Sequence, residues 1–335
     1  MSKIQLTIEV VRSNIKSLSS LAARSAEEIA HVLRQHYSSV TVTNVDTVDD
    51  LNALARRKPD VVFAGIYYVL DHENHDAKVW LADILEQHGI AYTGSGKLAN
   101  RLSINKHLAK QRLTEMSINT AAFKLMRRDS IDPVEKGALQ FPLFVKPSDT
   151  SGGKGVDDLS IVHTHELLKK KVSTIFETIQ ADALVEEYLT GREFTVALIG
   201  TGGNNFTAMP LELMTAANES GERIRSRAVR AADDEKLIAV ADPIERAIIG
   251  NFAIEAFRAI GGAVYGRVDI RYNDHAQPFF LEANHIPSLL EINSSFFAAY
   301  NMTFNKNYEA MILAIVQLAL NQERTIPRRI VLPNL

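Results

Sequence analysis

The segment that most constrains the fold of this chain is residues 266–293. Here GRVDI is followed by a polar turn and then by FFLEANHIPSLLEIN. Residues 264–272 are rich in β-branched and aromatic side chains, which favour a strand. Residues 273–275 are Asn, Asp and His, which are typical of turns, and an apolar segment resumes over residues 278–283. The pattern predicts a β-hairpin.

The predicted hairpin brings polar side chains together. Residues two apart in a strand point to the same face, so Arg267 and Asp269 share a face, and so do Glu282 and Asn284. Unpaired charge is costly to bury, so an apolar strand needs a reason to carry this group. Two carboxylates and an amide suit magnesium bound to nucleotide phosphates. From these residues alone, a salt-bridge cluster on an edge hairpin is an equally good explanation.

The first part of the chain alternates between strand and helix patterns. Strands are predicted at 4–11, 40–45, 60–64 and 90–92, and helices at 48–57, at 77–87 and from a capping box at residues 25–28 to about Tyr37. This order predicts a small parallel sheet with helices on both faces. It lacks the glycine-rich dinucleotide fingerprint, which argues against a Rossmann cofactor site.

A polar stretch with two histidines interrupts this alternation at residues 67–76. A metal site is conceivable there. Ligands also tend to bind beyond the carboxyl ends of parallel strands, so a substrate-facing loop without a metal is the favoured interpretation.

The remaining elements suggest two further structural units. A turn at 93–96 marks a boundary, and a polar stretch at 216–236 is predicted to be a mobile loop or lid. The other predictions are a helix at 98–114, strands at 121–126, 143–146 and 193–199, a helix at 243–260 and a final helix at 307–320. The predicted domains are residues 1–96, 97–190 and 191–335.

Composition narrows the functional classes. The net charge of −3 gives no electrostatic signature for nucleic acid or an anionic membrane. The chain has no cysteine, which excludes disulfides, thiolate catalysis and cysteine-bound zinc. No apolar run is long enough to span a bilayer, and the first residues lack the features of a signal peptide. These observations lead us to expect a cytoplasmic protein.

A second group of candidate residues lies in FPLFVKPSDTSGGKGV, residues 141–156. An apolar strand leads to Lys146, and a Ser/Gly-rich turn containing Gly152, Gly153 and Lys154 follows. Backbone amides in such a turn can bind a phosphate. The order of residues is not that of a P-loop, because the first lysine precedes the glycines. By itself, the turn is weak evidence for a phosphate site and is better explained as an ordinary hairpin loop.

A third group lies in ALVEEYLTGREFTV, residues 183–196. Glu186, Glu187 and Glu193 stand in predicted strands on either side of a turn. A carboxylate is a good acceptor for ribose hydroxyls or the adenine amino group. The alternative is an edge strand that charge keeps soluble, and these residues do not decide between the two.

The order and spacing of the three groups resemble the ATP-grasp superfamily, and within it the D-alanine–D-alanine ligases. The matching segments are YTGSG (92–96), LSINK (102–106), VKPS (145–148), LVEEYLTGREFTV (184–196), GRVDI (266–270) and LEAN (281–284). The resemblance implies an α/β (α+β) protein with the ATP-grasp fold. In that fold, an N-terminal parallel α/β domain is followed by two α+β subdomains that clasp ATP.

The resemblance also implies roles for individual residues. Lys106 and Lys146 would hold ATP phosphates, and Arg267 would lie beside the transferred phosphoryl group. Asp269, Glu282 and Asn284 would bind Mg²⁺, or Mn²⁺ in its place. The nucleotide site would further include Glu186, Glu187 and Leu189 at adenine, Glu193 at the ribose, Leu281, and Arg227 at a phosphate. Arg223, Arg225 and Arg230 compete for that last role. Asn293 and Ser294 would bind the carboxylate of the second substrate.

The sequence departs from the family pattern where the first substrate binds. Residues 10–20 lack the glycine-rich turn and the glutamate that holds the first amino group, and residues 72–76 replace a family loop. The phosphate turn has Gly152-Gly153-Lys154 where the family usually has two serines and a small apolar residue. Residues His285 to Leu290 replace the family segment that contains the glycine on the oxyanion side. Arg12, Lys16 and the 72–76 loop are candidates to contact a charged substrate.

These observations predict an ATP- and magnesium-dependent carboxylate–amine ligase that forms an amide or peptide bond through an acyl phosphate. Its substrates would be small amino-acid-like molecules, with no nucleic-acid or membrane partner, and the resemblance makes a homodimer a further expectation. The alternatives are D-alanine–D-alanine ligase itself, a cyclising ligase, a phosphotransferase and an ATP-binding protein without ligase chemistry.

Overall fold

The computed structural model describes residues 3–128, 139–150, 153–201, 205–217, 221–224 and 235–322. These residues form two four-stranded sheets, one five-stranded sheet and a separate two-stranded sheet. The first sheet is parallel and the others are antiparallel, which confirms the predicted α/β (α+β) class. No helix in the described ranges is long and apolar enough to cross a membrane.

The N-terminal part contains the predicted parallel sheet, and its strand order is β2–β1–β3–β6. Its elements are β1 (Ile4–Arg12), α1 (Ala23–His36), β2 (Tyr37–Asn44), α2 (Val48–Arg57), β3 (Val61–Ala64), β4 (Tyr68–Asp71), β5 (Ala77–Trp80), α3 (Leu81–Gln87) and β6 (Ala91–Tyr92). The helix at 48–57 was predicted correctly. It begins with a true capping box, in which the side chains of Thr47 and Asp50 bond each other's backbone amides.

Two predicted helix starts in this part are wrong. Helix α1 begins at Ala23, so Ser25 is a buried residue of its first turn and not a cap. The helix expected at 77–87 begins only at Leu81, because β5 pairs with β4 as an antiparallel hairpin. Tyr68 and Trp80 are directly opposite, and their rings lie 5.4 Å apart. The stretch 67–76 is therefore half of a hairpin and not an open loop.

The middle part is built on an antiparallel sheet in the order β7–β10–β8–β9. Its elements are α4 (Lys97–Ile104), α5 (Lys106–Glu115), β7 (Phe123–Met126), β8 (Leu143–Pro147), β9 (Ile161–Val162), α6 (His165–Thr174) and β10 (Ala183–Glu187). The single helix predicted at 98–114 is in fact two helices. Asn105 lies between them in an extended conformation, and its side chain accepts a hydrogen bond from the amide of Leu108 at 3.0 Å. This break makes Lys106 the first residue of α5.

The C-terminal part contains the five-stranded antiparallel sheet, in the order β13–β12–β11–β14–β15. Its elements are β11 (Glu193–Gly200), β12 (Phe206–Thr215), β13 (Glu235–Ala239), α7 (Pro243–Ala259), β14 (Tyr265–Tyr272), β15 (Pro278–Asn284), α8 (Ser295–Phe304) and α9 (Tyr308–Leu320). The predicted hairpin, the strand at 193–199 and the last helix are confirmed. Most of the stretch 216–236 lies outside the described residues.

The three parts are joined by shared cores. The C-terminal helices α8 and α9 share a buried cluster with β1 and α1, so they pack the N-terminal sheet against the C-terminal one. Leu102 of α4, together with Ala109 and Leu113 of α5, is buried with side chains of β11, α7 and β14. The boundary at residue 97 remains a prediction, and these contacts tie both helices to the C-terminal sheet.

Candidate active site

The β14–β15 hairpin brings together the four polar residues predicted to meet there. Arg267 is opposite Asn284, and Asp269 is opposite Glu282. The pairing shifts by one residue after Asp269, which leaves Leu281 as the extra residue of a β-bulge. The four side chains therefore share one face of the sheet, as their spacing predicted.

Asp269 is buried and fixed by its neighbours. Nε and Nη2 of Arg267 donate to its two carboxylate oxygens at 2.9 and 2.8 Å, and the hydroxyl of Thr195 in β11 donates to it at 2.8 Å. Glu282, across the hairpin, is half-buried and forms no ion pair with another described residue. The hairpin thus presents one neutralised carboxylate and one that is available to a cation.

Two lysines face this hairpin from the middle part of the chain. Lys106 Nζ, at the start of α5, donates to the carbonyl of Thr150. Burial lowers the pKa of Lys106, although the negative charge of Glu282 acts to raise it. Lys146 projects from β8. Burial acts to lower its pKa, but the carboxylates of Glu186 and Glu282 outweigh it and leave the pKa raised.

Glu186 is the shared partner of two lysines. Its carboxylate lies 2.6 Å from Nζ of Lys146 and 2.9 Å from Nζ of Lys110, and all three side chains are buried. Burial alone would raise the pKa of Glu186, but the two ammonium groups lower it to about 2. Lys110 also donates to the hydroxyl of Thr120 at 2.6 Å.

Sequence reasoning missed Lys110. The available signal was its spacing from Lys106, because residues four apart lie on one face of a helix. Its partner Glu186 comes from β10, so the ion pair itself depends on tertiary structure.

Arg271 is a second residue that sequence reasoning missed, although it continues the alternation of Arg267 and Asp269. Its guanidinium carbon lies 4.7 Å from the centroid of the Tyr188 ring. It donates to the Tyr188 hydroxyl at 2.9 Å and lies 3.6 Å from a carboxylate oxygen of Glu193. Arg271 therefore holds the turn between β10 and β11 against the C-terminal sheet.

Most of these groups line one cleft, although Arg267 and Lys110 are not among its lining residues. Nine of the predicted residues line it: Lys106, Lys146, Glu186, Glu187, Leu189, Glu193, Asp269, Leu281 and Glu282. Arg223 also lines it, whereas Arg227, Arg225, Arg230 and Gly152 lie outside the described residues. The nucleotide and metal roles assigned to these residues remain predictions.

Asn284 lines a second cleft, which shares Lys106, Thr150 and Glu282 with the first. The side-chain oxygen of Asn284 accepts hydrogen bonds from the Tyr67 hydroxyl at 3.3 Å and from the amide of Ile286 at 3.2 Å. The two clefts meet at Glu282, so molecules bound in both would adjoin there.

Asn293 and Ser294 are not among the residues that line either cleft in the described part of the chain. Asn293 is exposed with φ of 62°. Ser294 is buried, donates to the carbonyl of Ser288 at 2.6 Å and caps α8 by accepting from the amide of Phe297 at 3.3 Å. The hydrogen bond that Ser294 accepts is therefore that of a helix N-cap.

Comparison with known proteins gives matches over most of the chain. The family model described as D-ala D-ala ligase C-terminus matches residues 113–317. The chain is 30% identical over 246 residues to the uncharacterized protein y4sG of Sinorhizobium fredii, covering 70% of this chain and 68% of that protein. It is 26% identical over 234 residues to the D-alanine–D-alanine ligase of Lacticaseibacillus casei, covering 70% of this chain and 61% of that enzyme.

Among solved structures, the chain is similar to the D-alanine–D-alanine ligase from Bacillus anthracis complexed with ATP. The TM-score is 0.74 at 20% identity, and the match covers 94% of this chain and 97% of that one. This similarity shows that the two chains share a fold.

Proposed function

Because this chain belongs to the D-ala D-ala ligase family and is an ATP-dependent ligase of the ATP-grasp type, we propose that it joins a carboxylic acid to an amine through an acyl phosphate. The proposed acid is amino-acid-like but different from D-alanine. The observation that carries the proposal is the pair of adjoining clefts. The lysines and the Asp269–Glu282 pair line the first, and Glu282 and Lys106 also open onto the second.

ATP would bind in the first cleft. Lys106 and Lys146, which line this cleft together with Glu282, would supply positive charge for its phosphates. Leu189 and Glu187, at the turn after β10, would hold the adenine, and Glu193 would accept from the ribose hydroxyls. In this arrangement the γ-phosphate would lie toward the second cleft, which shares Lys106 and Glu282 with the first.

The donor set fits a divalent cation. Asp269 and Glu282 are cross-strand neighbours with hard oxygen ligands, and Asn284 is two residues beyond Glu282. Magnesium, or manganese in its place, would offset the charge that develops on the phosphate oxygens during transfer. Arg267, which forms an ion pair with Asp269, would help to offset the charge on the phosphate oxygens.

The reaction would proceed in two steps. A carboxylate oxygen of the acid forms a bond to the γ-phosphorus while the bond from that phosphorus to ADP breaks. The uncharged amine then attacks the acyl carbon, inorganic phosphate leaves with the bonding electrons, and the amine nitrogen loses a proton. Lysine and arginine side chains that are fixed before the reaction stabilise the negative charge in both steps.

The test is ADP release from the purified protein with ATP and Mg²⁺, measured against D- and L-amino acids singly and in pairs. The proposal expects turnover that requires both an acid and an amine, with product mass equal to their sum less water. Turnover with D-alanine alone would identify a D-alanine–D-alanine ligase and contradict the substrate part of the proposal. Release of ADP without an amide product would contradict the ligase chemistry.

A further inference from the structure

The second cleft has walls from five separate segments. These are the loop between β1 and α1, the β4–β5 hairpin, helix α4 with the start of α5, the loop after β8, and the end of β15. Because it adjoins the proposed ATP site at Glu282 and Lys106, it is the space available to the acid that is to be activated.

The β4–β5 hairpin presents a mixed aromatic and cationic face to this cleft. Lys78 and Trp80 are two apart in β5, and Tyr68 is directly opposite Trp80, so the three share a face. The ammonium of Lys78 lies 4.7 Å from the centroid of the Tyr68 ring, which fixes its position over the aromatic surface. All three residues line the cleft.

The loop after β1 is held in place by hydrogen bonds at both ends. Near its start, the amide of Asn14 donates to Asp46 at 2.8 Å. Near its end, the amide of Ser20 donates to the carbonyl of Gly65 at 2.8 Å. Lys16, between these two anchors, lines the cleft together with the serines that follow it. Arg12, the other cation considered from the sequence, instead donates to the side chain of Asn14 at 2.8 Å.

The charges on the lining side chains do not balance. Besides Lys106, which it shares with the first cleft, the second cleft is lined by the cations Lys16, Lys78 and Arg101, and none of these three forms an ion pair with another described residue. The carboxylates that line the cleft in the described part of the chain are Asp149 and Glu282. Since Glu282 faces the proposed metal site, Asp149 remains as the acceptor for a substrate amino group.

We infer that the acid activated by this enzyme carries a second anionic group, which Lys16, Lys78 and Arg101 bind while its carbon chain lies over Tyr68 and Trp80. The inference rests on the proposed function and specifies its substrate class. An ammonium group on the same molecule would pair with Asp149, and the reacting carboxylate would lie toward Lys106.

The experiment compares acids that differ only in this group. Glutamate is paired with glutamine and O-phosphoserine with serine, in both enantiomers, so that a carboxylate and a phosphate are tested separately. Binding is measured as the shift in Tm of the full chain with Mg²⁺ and a non-hydrolysable ATP analogue, and turnover as ADP release. The variants are Arg101→Glu and Lys78→Glu, with Lys169→Glu on the exposed face of α6 as the control.

We expect at least one anionic acid to bind about tenfold or more tightly than its neutral partner, the difference that a charge-assisted hydrogen bond typically gives. Both cleft variants should abolish or reverse this preference, and Lys169→Glu should retain it. Equal Tm shifts within every pair, no shift from any acid, or a preference that both variants retain would each overturn the inference. If the ATP analogue itself gives no shift, the proposed function fails instead.

Discussion

Nζ of Lys146 lies 2.6 Å from a carboxylate oxygen of Glu186, and both side chains are buried at the wall of the candidate nucleotide cleft. Without a counter-charge, a lysine in this position would favour its neutral form. Glu186 keeps it charged, and Lys110, on the far side of Glu186, balances the carboxylate in turn. Glu186 therefore sets the position and the charge of Lys146 in the cleft, and Lys110 pairs with Glu186 in turn.

Replacement of Lys110 tests this arrangement. Lys110→Met removes one of the two cations that face the buried carboxylate of Glu186, and breaking a buried ion pair typically costs about 3–5 kcal/mol. We expect a loss of that size in the free energy of unfolding, measured by urea denaturation. The exposed residue Lys169 provides the matched control, because Lys169→Met should change stability by less than about 0.5 kcal/mol. An equally small change in Lys110→Met would contradict the arrangement.

The low pKa of Glu186 predicts a dependence of stability on pH. The folded-state pKa is about 2, below the ordinary value of 4.5, so the unfolded state binds more protons between these values. The stabilisation is complete above about pH 4.5 and is lost as the pH falls toward 2. The free energy of unfolding should therefore fall more steeply between about pH 5 and about pH 3 in the wild type than in Glu186→Gln. Equal slopes would show that Glu186 does not titrate in this way.

Removal of the available carboxylate tests the metal and phosphoryl site. Glu282→Gln keeps the size of the side chain but removes its charge, and loss of one electrostatic stabiliser typically lowers the rate by about 10²-fold or more. We expect that loss in ADP release, with a raised requirement for Mg²⁺. Glu291→Gln, at an exposed site in the same part of the chain, should behave as the wild type. A Glu282→Gln enzyme with normal rate and normal magnesium dependence would remove Glu282 from the site.

Gly266 allows close packing behind the active hairpin. A Cβ added there would lie 2.6 Å from Cζ of Phe257, which is buried between α7 and β14. Gly266→Ala should therefore lower the free energy of unfolding by about 1–3 kcal/mol, the usual cost of overpacking. Because Arg267 is the next residue, ADP release should also fall. At Gly96, where φ is −72° and the nearest atom would be 3.4 Å away, Ala should cost far less. Similar losses at both positions would contradict the packing argument.

Local patterns were sufficient to predict the elements that carry the reactive residues. Alternation over Arg267 and Asp269, with turn residues after Tyr272, specified the hairpin and the face that its polar residues share. Helix α2 was predicted with its observed bounds, and the Thr47–Asp50 capping box at its start is likewise a local feature. These features depend on neighbours along the chain, so the sequence alone contains the necessary information.

Tertiary contacts decided the features that were missed. Ser25 looked like a helix cap but is buried in the first turn of α1. The strand β5 exists because it pairs with β4, and residues 77–87 alone do not show this. Lys110 acquires its partner from a strand far along the chain, and the cationic wall of the second cleft combines three distant segments. None of these relationships has a local signature.

The most direct test of the account is a crystal structure of the full chain with Mg²⁺ and a non-hydrolysable ATP analogue. We predict the adenine beside Leu189, the phosphates between Lys106 and Lys146, and the metal ion on Asp269 and Glu282, with the γ-phosphate at the junction of the two clefts. A nucleotide bound elsewhere, or a metal ion that contacts neither carboxylate, would contradict the account.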